Sequence, residues 1–245
     1  MNNTINFRDC GGFPAAGGKR VKTGMLFRSA SLDRIRGKTR TLIERNNFTT
    51  IIDLRPSQER SKHIALLPGV KRITIPLDID RIARQRILPY IFRRQGKQGV
   101  ETAITSVYRD MVTIGAPSVR ILFSCVAAPD AYPLCINCRA GKDRTGFAIA
   151  LILRTLGVPD TAIIDDYLAT NNYLLPRVRR FTVPLRLLSF TLFPATAFEA
   201  ALTARREYLT TAFSKIDTDF GSINGYLDFC EVPASRRNRL RKFLL

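Results

Sequence analysis

The feature that most constrains the fold of this chain is residues 132–153, which read YPLCINCRAGKDRTGFAIALIL. Residues 133–137 form a short apolar run that starts at a proline, a pattern typical of a buried strand. Residues 145–156 are apolar on nearly every side, as in a buried helix. The stretch therefore predicts an α/β fold in which a buried strand leads through a polar loop into a buried helix.

The loop between these two elements contains a cysteine and an arginine separated by five residues, Cys138 and Arg144. A loop that runs into a helix N-terminus directs backbone N–H groups inward and adds the positive end of the helix dipole, which favours a bound phosphate. The same field favours the thiolate of Cys138, so we expect this residue to act as a nucleophile. Arg144 can hold two phosphate oxygens with its planar guanidinium and stabilise the charge that develops there.

The other residues of the loop complete a candidate phosphate site. Thr145 is placed to donate a hydrogen bond to the cysteine sulfur, which would help the thiolate to leave in a second step. Gly141 and Gly146 allow the backbone to approach a ligand or a neighbouring strand closely. The predicted phosphate-binding residues are those between the nucleophile and the arginine: Arg139, Ala140, Gly141, Lys142 and Asp143.

Several motifs of the chain resemble those of a known family. The loop resembles the C-x5-R loop of cysteine-dependent protein phosphatases, and CRAGKDRTG is similar to the loop of the atypical bacterial tyrosine phosphatases. The further matching motifs are NFRDCGG from residue 6, LFRSA from 26, DLRPSQE from 53, DYLATN from 166 and GSINGYL from 221. The resemblance implies a cysteine-phosphatase fold with a central, mostly parallel sheet of four to five strands flanked by helices. It also implies one domain over residues 1–245, with helical lid insertions at about 79–98 and 172–195.

The resemblance further implies a general acid, an aspartate on a loop that follows a strand earlier in the chain than the cysteine. Asp78 is the first candidate by this order and Asp80 is the second, although either could instead cap the following helix. The acid protonates the leaving oxygen and later activates water. Asp143 is a third carboxylate, which could act as an auxiliary acid or orient Arg139.

Together these features predict a phosphomonoester hydrolase that forms a phosphocysteine intermediate and requires no metal or organic cofactor. The loop is also similar to the CKAGKGR loop of inositol-lipid phosphatases, in which two lysines contact neighbouring ring phosphates. Arg139 and Lys142 therefore suggest phosphoinositides as substrates beside phosphotyrosine.

The residue before the nucleophile is usually histidine in these families and is Asn137 here. The alternative function is therefore a catalytically impaired module that binds phosphorylated proteins or phosphoinositides.

The net charge of +19, from 39 basic and 20 acidic residues, attracts polyanions. The basic excess is concentrated at 19–40, 81–97 and 236–242. Residues 81–98 and 172–195 are both basic and apolar, which suits a lid that contacts an anionic membrane or a large anionic substrate. Packing of these segments against the domain is the alternative. We expect phosphorylated proteins or phosphoinositides as partners, with possible peripheral contact to an anionic membrane, rather than nucleic acid.

The five cysteines occur at irregular spacing, which does not indicate a disulfide framework and favours a reducing compartment. Cys135 and Cys138 form a C-x-x-C, so a redox role, or capture of oxidised Cys138 by Cys135, is a further alternative. A single histidine and no acidic or cysteine cluster argue against a metal site. The N-terminus shows no apolar signal segment. We therefore expect a cytoplasmic protein, or one exported without a readable signal peptide.

The remaining apolar patterns predict elements that would surround the site. Strands are expected at 25–28, 48–54 and 70–75, and helices at 32–46, 119–128, 159–171, 198–215 and 221–229. Asp53 and Arg55 would then lie at the carboxyl end of a parallel strand, where ligands of open α/β sheets bind. They could equally form ion pairs with neighbouring residues, among them Arg8 and Glu59.

Overall fold

The computed structural model describes residues 6–33, 35–60, 67, 69–93, 96–190 and 192–245, apart from the side chain of Asp80. The strands are β1 (Arg8–Asp9), β2 (Leu26–Ser29), β3 (Thr50–Asp53), β4 (Lys71–Thr74) and β5 (Leu134–Asn137). They form one sheet in the order β1-β2-β5-β3-β4, and β1 is the strand that runs antiparallel to its neighbour. The prediction of a mostly parallel sheet flanked by helices is confirmed.

Helices follow three of the parallel strands along the chain, as is usual for the crossovers between such strands. They are α1 (Gly37–Glu44), α2 (Asp80–Ile91), α3 (Gly96–Ile114), α4 (Ala116–Val126), α5 (Asp143–Thr155), α6 (Asp160–Ala169), α7 (Asn171–Leu188), α8 (Ala195–Leu202), α9 (Arg206–Phe220), α10 (Ile223–Phe229) and α11 (Ala234–Leu244). α1 connects β2 to β3, and α2, α3 and α4 lie between β4 and β5 along the chain.

The central strand β5 separates two hydrophobic clusters. Because side chains alternate along a strand, Leu134 and Ile136 face the large cluster and Cys135 faces the small one. The large cluster contains the apolar residues of α5, whereas the small one includes Phe27 and Phe48. β5 is therefore buried on both faces, and its carboxyl end is held rigidly in the middle of the sheet.

Two of the predicted helices differ from those observed. α1 begins at Gly37 instead of residue 32, because Leu32 is buried in the small cluster before the helix starts. The prediction of a single helix at 198–215 is wrong. The chain leaves helical geometry at 203–205 and forms two helices, α8 and α9. The side chain of Asn171 bonds both the N–H and the carbonyl of Ala204, each at 2.8 Å. This tertiary contact stabilises a break that no local glycine or proline marks.

The two segments predicted as lid insertions contain α2 and α7. α2 packs against α3 and α8, and α7 packs against α8. Their function as lids, and the assignment of residues 1–245 to one domain, stay predictions. Within the described part of the chain, no helix is both long and apolar enough to cross a membrane.

Candidate active site

The loop between β5 and α5 lies at the carboxyl end of the sheet and consists of residues 138–142. It turns sharply at Gly141, which has a φ of 67°. A Cβ atom at this position would lie 2.6 Å from the carbonyl oxygen of Ser29 and 2.8 Å from Nδ2 of Asn6. Glycine is therefore required both by the left-handed backbone and by the close approach of β2.

Two side chains from the N-terminal part of the chain hold the outer face of the loop. Asn6 Nδ2 donates to the carbonyls of Ala140 and Gly141 at 3.2 and 3.1 Å, and Arg28 Nη2 donates to the carbonyl of Gly141 at 2.7 Å. In a trans peptide the following N–H points away from the carbonyl. Because these carbonyls face Asn6 and Arg28, the N–H groups that follow them face the opposite side, where an anion could bind.

A buried ion network stabilises these two donors. Asp166 accepts hydrogen bonds from Arg28 Nη1 and from Arg8 Nε, the latter at 2.7 Å, and Arg8 Nη1 also donates to Asn6 Oδ1. Burial alone would raise the pKa of Asp166, but the charges of Arg28 and Arg8 outweigh it and lower this pKa below its ordinary value. These four residues, Asn6, Arg8, Arg28 and Asp166, were not among the predicted site residues. The sequence did contain a signal for these residues, because they lie within the NFRDCGG, LFRSA and DYLATN motifs.

Cys138 and Thr145 lie at the inner side of the loop. Cys138 is 2% exposed, and Thr145 is completely buried in the first turn of α5. The hydroxyl of Thr145 has no hydrogen-bond partner among the described residues. An unpaired buried hydroxyl costs about 1–3 kcal/mol, so its retention fits a hydroxyl that bonds a sulfur anion or a ligand.

The guanidinium of Arg144 is oriented by Glu59, which belongs to a short 3-10 turn (Ser57–Glu59) after β3. The pair is bidentate, with 3.1 Å between Nη1 and Oε1 and 2.8 Å between Nη2 and Oε2. Both side chains are largely buried. A planar bidentate pair of this kind fixes the direction in which the guanidinium points and also supplies its counter-charge. Glu59 was predicted only as a possible ion-pair partner for Arg55, so its pairing with Arg144 is an addition.

Asp53 and Arg55 form a structural ion pair. Arg55 is 2% exposed and pairs with Asp53 at 2.7 Å and with Asp33 at 2.7 Å. Arg55 Nε also donates to Asp53 Oδ1 at 2.9 Å, and Arg55 Nη2 donates to Asp33 Oδ1 at 2.8 Å. The guanidinium of Arg55 is therefore paired with the carboxylates of Asp53 and Asp33. This pairing supports a structural role for Asp53 and Arg55 over ligand binding.

The carboxylate of Asp143 is held by a pair of buried tyrosines. Tyr108 Oη donates to Asp143 Oδ1 at 2.8 Å and lies 2.7 Å from Tyr167 Oη. Because a phenol has one proton, Tyr167 must donate to Tyr108 in this arrangement. Burial, followed by the charge of Asp143, raises the pKa of Tyr108 well above its ordinary value, so the phenol remains a donor. Asp143 is thus fixed at the start of α5.

Lys142 and Arg139 differ in accessibility, although both were predicted to bind phosphate. Lys142 is 4% exposed, and its ammonium donates to the carbonyls of Ala201 and Thr203 at 2.9 and 3.3 Å. It therefore connects the loop to the end of α8 in this structure. Arg139 is exposed at the surface of the loop.

Asp78 lies at the same edge of the sheet as the loop. A row of backbone hydrogen bonds crosses this edge, from Leu77 N to Leu54 O at 3.1 Å and from Leu54 N to Asn137 O at 2.9 Å. Two strand spacings of roughly 4.8 Å place Asp78 about 10 Å across the sheet from Cys138. The side chain of Asp78 is exposed, whereas that of Asp80, the first residue of α2, is outside the described residues.

Asn137 and Cys135 face the small cluster, on the other side of the sheet from Ile136. Cys135 Sγ lies 3.4 Å from Ser29 Oγ, and burial raises the pKa of Cys135 to about 12. Cys138 belongs to the large cluster instead. This separation argues against a redox pair formed by Cys135 and Cys138. Both polar atoms of the Asn137 side chain are buried and lack a hydrogen-bond partner among the described residues.

Comparison with known proteins identifies the family of the chain. A model of the tyrosine phosphatase family matches residues 1–245. The triple specificity protein phosphatase PtpB of Mycobacterium tuberculosis is 28% identical, over 98% of this chain and 96% of the relative. A putative tyrosine-protein phosphatase of Cupriavidus necator is also 28% identical, over 94% of this chain and 83% of the relative. Among solved structures, the Siw14 catalytic core aligns over 82% of this chain and 88% of its own, with 17% identity and a TM-score of 0.36. Because the family model spans every residue, the chain belongs to the tyrosine phosphatase family and is a cysteine-dependent phosphatase.

Proposed function

We propose that the protein hydrolyses phosphomonoesters through a phosphocysteine intermediate at Cys138. The thiolate attacks phosphorus in line and the ester oxygen leaves with a proton donated by Asp78. Water, deprotonated by the same aspartate, then attacks the phosphocysteine and releases phosphate and the thiolate. The loop N–H groups and Arg144 stabilise the equatorial oxygens in both steps. The observation that supports this proposal most directly is the outward orientation of the Ala140 and Gly141 carbonyls beside a buried cysteine.

The remaining loop residues have supporting roles in this proposal. Thr145, whose buried hydroxyl lacks a partner among the described residues, donates to the departing thiolate. Asp143 is a second candidate for the proton donor, since it is only partly buried and begins α5. Asp80 also stays a candidate by its position after β4.

We propose phosphotyrosine and phosphoinositides as the substrates, partly because one relative is named a triple specificity phosphatase. Exposed Arg139 can contact a second phosphate next to the one that is cleaved. Lys142 can contact a second phosphate only if its ammonium leaves the carbonyls of Ala201 and Thr203, and it also lies 3.3 Å from the carboxylate of Asp143. No step in this mechanism uses a metal or an organic cofactor.

The central test is hydrolysis of p-nitrophenyl phosphate in the presence of a chelator. We expect turnover by the native protein, loss of turnover in Cys138→Ser, and retention of turnover in Cys135→Ser. The two variants remove a buried thiol from neighbouring positions of the same segment, so Cys135→Ser is a matched control. Phosphate binding without turnover by the native protein would instead support the binding-module alternative.

The identity of the general acid is tested by comparing two leaving groups. Protonation matters more for tyrosine, whose phenol has a pKa of about 10, than for the more acidic nitrophenol. We expect Asp78→Asn to reduce hydrolysis of phosphotyrosine more than hydrolysis of p-nitrophenyl phosphate. If Asp143→Asn shows this leaving-group dependence and Asp78→Asn does not, the roles of the two aspartates are reversed. A panel of phosphoinositides assayed beside phosphotyrosine peptides tests the substrate range.

A further inference from the structure

The most exposed large hydrophobic side chains of the described residues are concentrated in two segments. Six of them are between 61% and 89% exposed, and the next, Phe229, is only 50% exposed. We call these six the apolar rim: Leu88, Phe92, Leu187, Leu188, Phe190 and Leu192. All six lie in the segments predicted from the sequence as lid insertions. Side chains this exposed gain little from packing within the chain, so their concentration indicates an interaction surface.

The two segments meet on one side of the molecule. The ring of Phe92 lies edge-on to Phe198 at 6.1 Å, and Phe198 stacks on Phe193 at 4.9 Å. A cleft of about 480 Å³ is lined by residues of both segments. Its basic residues, which we call the basic cleft, are Arg93, Lys97 and Arg186, and Leu192 of the apolar rim lines it too.

The charge of this surface is strongly positive. No acidic residue occurs from 172 to 195, and four arginines do: Arg177, Arg179, Arg180 and Arg186. Glu101 also lines the cleft, but it already pairs with Arg205 at 2.8 Å. Glu199 on the neighbouring helix lies 3.8 Å from Arg179. The surface is therefore complementary to a partner that is negatively charged and has an apolar interior behind its charged layer.

We propose that the apolar rim and the basic cleft form a docking surface for an anionic lipid bilayer. The leucines and phenylalanines enter the boundary between headgroups and acyl chains, and the arginines and Lys97 contact lipid phosphates. A partner protein would need an apolar patch matched to the rim as well as acidic groups matched to the arginines, whereas an anionic bilayer supplies both by its composition.

The position of this surface relative to the loop suits a lipid substrate, and this point rests on the proposed function. α8 leads from the rim to Lys142, whose ammonium bonds the carbonyls of Ala201 and Thr203 at its far end. A helix of eight residues is about 12 Å long. Docking would thus place the phosphate loop close to the plane of the headgroups.

The test is co-sedimentation of the full chain with phosphatidylcholine vesicles that contain or lack phosphatidylserine. No phosphoinositide is included, so substrate binding at the loop does not contribute. We expect binding only to the phosphatidylserine vesicles, with strong weakening at high salt. Phe190→Ser with Leu192→Ser, and separately Arg180→Glu with Arg186→Glu, are each expected to weaken binding about ten-fold or more. Hydrolysis of p-nitrophenyl phosphate should be unchanged, which shows that the variants are folded.

Matched controls separate a local surface from the overall charge. Ile121→Ser removes an exposed apolar side chain elsewhere, and Lys38→Glu with Arg239→Glu makes the same charge change outside the two segments. Binding that falls equally in the controls, or no binding by a native protein that hydrolyses p-nitrophenyl phosphate, would overturn the proposal. So would a dimer of the native protein that Phe190→Ser with Leu192→Ser dissociates, since a second copy would then cover the rim. Vesicle binding without any turnover would instead refute the proposed function and leave the docking surface intact.

Discussion

The orientation of Arg144 depends on a side chain 85 positions earlier in the chain, Glu59. The arginine was predictable from its distance to Cys138, because both belong to one loop. The glutamate was not, because the pair forms only when the turn after β3 is brought beside the start of α5. Contacts between distant segments of this kind are the part of the site that local patterns do not specify.

We predict that Glu59→Gln lowers kcat/KM for p-nitrophenyl phosphate by about 10- to 100-fold, mainly through kcat. The amide keeps the shape of the side chain but has only one acceptor oxygen, so the guanidinium loses its bidentate partner. Steady-state kinetics separate this positioning effect from a loss of binding, which would raise KM alone. Glu44→Gln, which breaks an exposed pair with Arg40, is the control and should have no effect.

Asn137 carries two buried polar atoms without a hydrogen-bond partner in the described part of the chain. Leaving such groups unpaired costs more than replacing them by an apolar group of similar shape. We therefore predict that Asn137→Val raises the free energy of unfolding by about 1 kcal/mol, measured by urea denaturation. Asn137→Ala is the control for side-chain volume. If the valine variant is less stable than the native protein, Asn137 has an interaction that this structure does not show.

At the level of elements, the phosphate loop is held by a network that joins β1, β2 and α6. Arg8, Arg28 and Asp166 form its ionic part, and Asn6 connects it to the loop. Each of these residues lies in a motif that the sequence analysis used to identify the family. Their individual contacts were not predictable, since a motif indicates that residues matter but not which atoms meet.

We predict that Asp166→Asn destabilises the protein by about 3 kcal/mol near neutral pH, because it leaves the buried guanidinium of Arg28 and the partly buried one of Arg8 without their counter-charge. The pKa of Asp166 is lowered in the folded protein, so its stabilising effect is complete above its ordinary pKa of about 3.9. That effect is lost as pH falls through the lowered folded value. The difference in stability between native and variant should therefore narrow in acid.

Urea denaturation at several pH values measures this difference. Asp165→Asn is a matched control, since Asp165 is the adjacent residue, is highly exposed and lies 3.7 Å from Arg206. It should change stability little at any pH. A constant difference between Asp166→Asn and the native protein down to strongly acid pH would contradict the role assigned to this carboxylate.

The secondary structure shows the same limit of sequence reasoning. The strand and helix on either side of Cys138 were predictable because their apolar residues are continuous and a glycine ends the helix region. The break between α8 and α9 was not, because Asn171 and Lys142 bond the backbone there from distant positions. Such a break depends on the folded neighbourhood and leaves no glycine or proline in the sequence.

For the whole molecule, the sequence was sufficient to predict the sheet class and the two basic, apolar segments. It could not show that these segments meet, because their contact through Phe92, Phe193 and Phe198 joins residues about 100 positions apart. The net charge of +19 also acts at this scale, through a field that extends beyond any single pair.

We predict that salt inhibits hydrolysis of a soluble, short-chain phosphoinositide more than hydrolysis of p-nitrophenyl phosphate. A substrate with several phosphates is attracted more strongly by the field of the protein, and ions screen this attraction over about 10 Å at 0.1 M. The measurement is kcat/KM for both substrates across a range of sodium chloride concentrations. Equal salt dependence would show that the charge of the molecule does not contribute to substrate capture.

The two hydrogen bonds of Lys142 to the end of α8 have a mechanical consequence. One is of ordinary length at 2.9 Å and the other is long at 3.3 Å, so a displacement of α8 away from the loop by about 1 Å would break both. The lysine precedes the first residue of α5 and follows the glycine at which the loop turns. Any force on α8 from outside the molecule would thus be transmitted through one ammonium group to the backbone that surrounds the nucleophile.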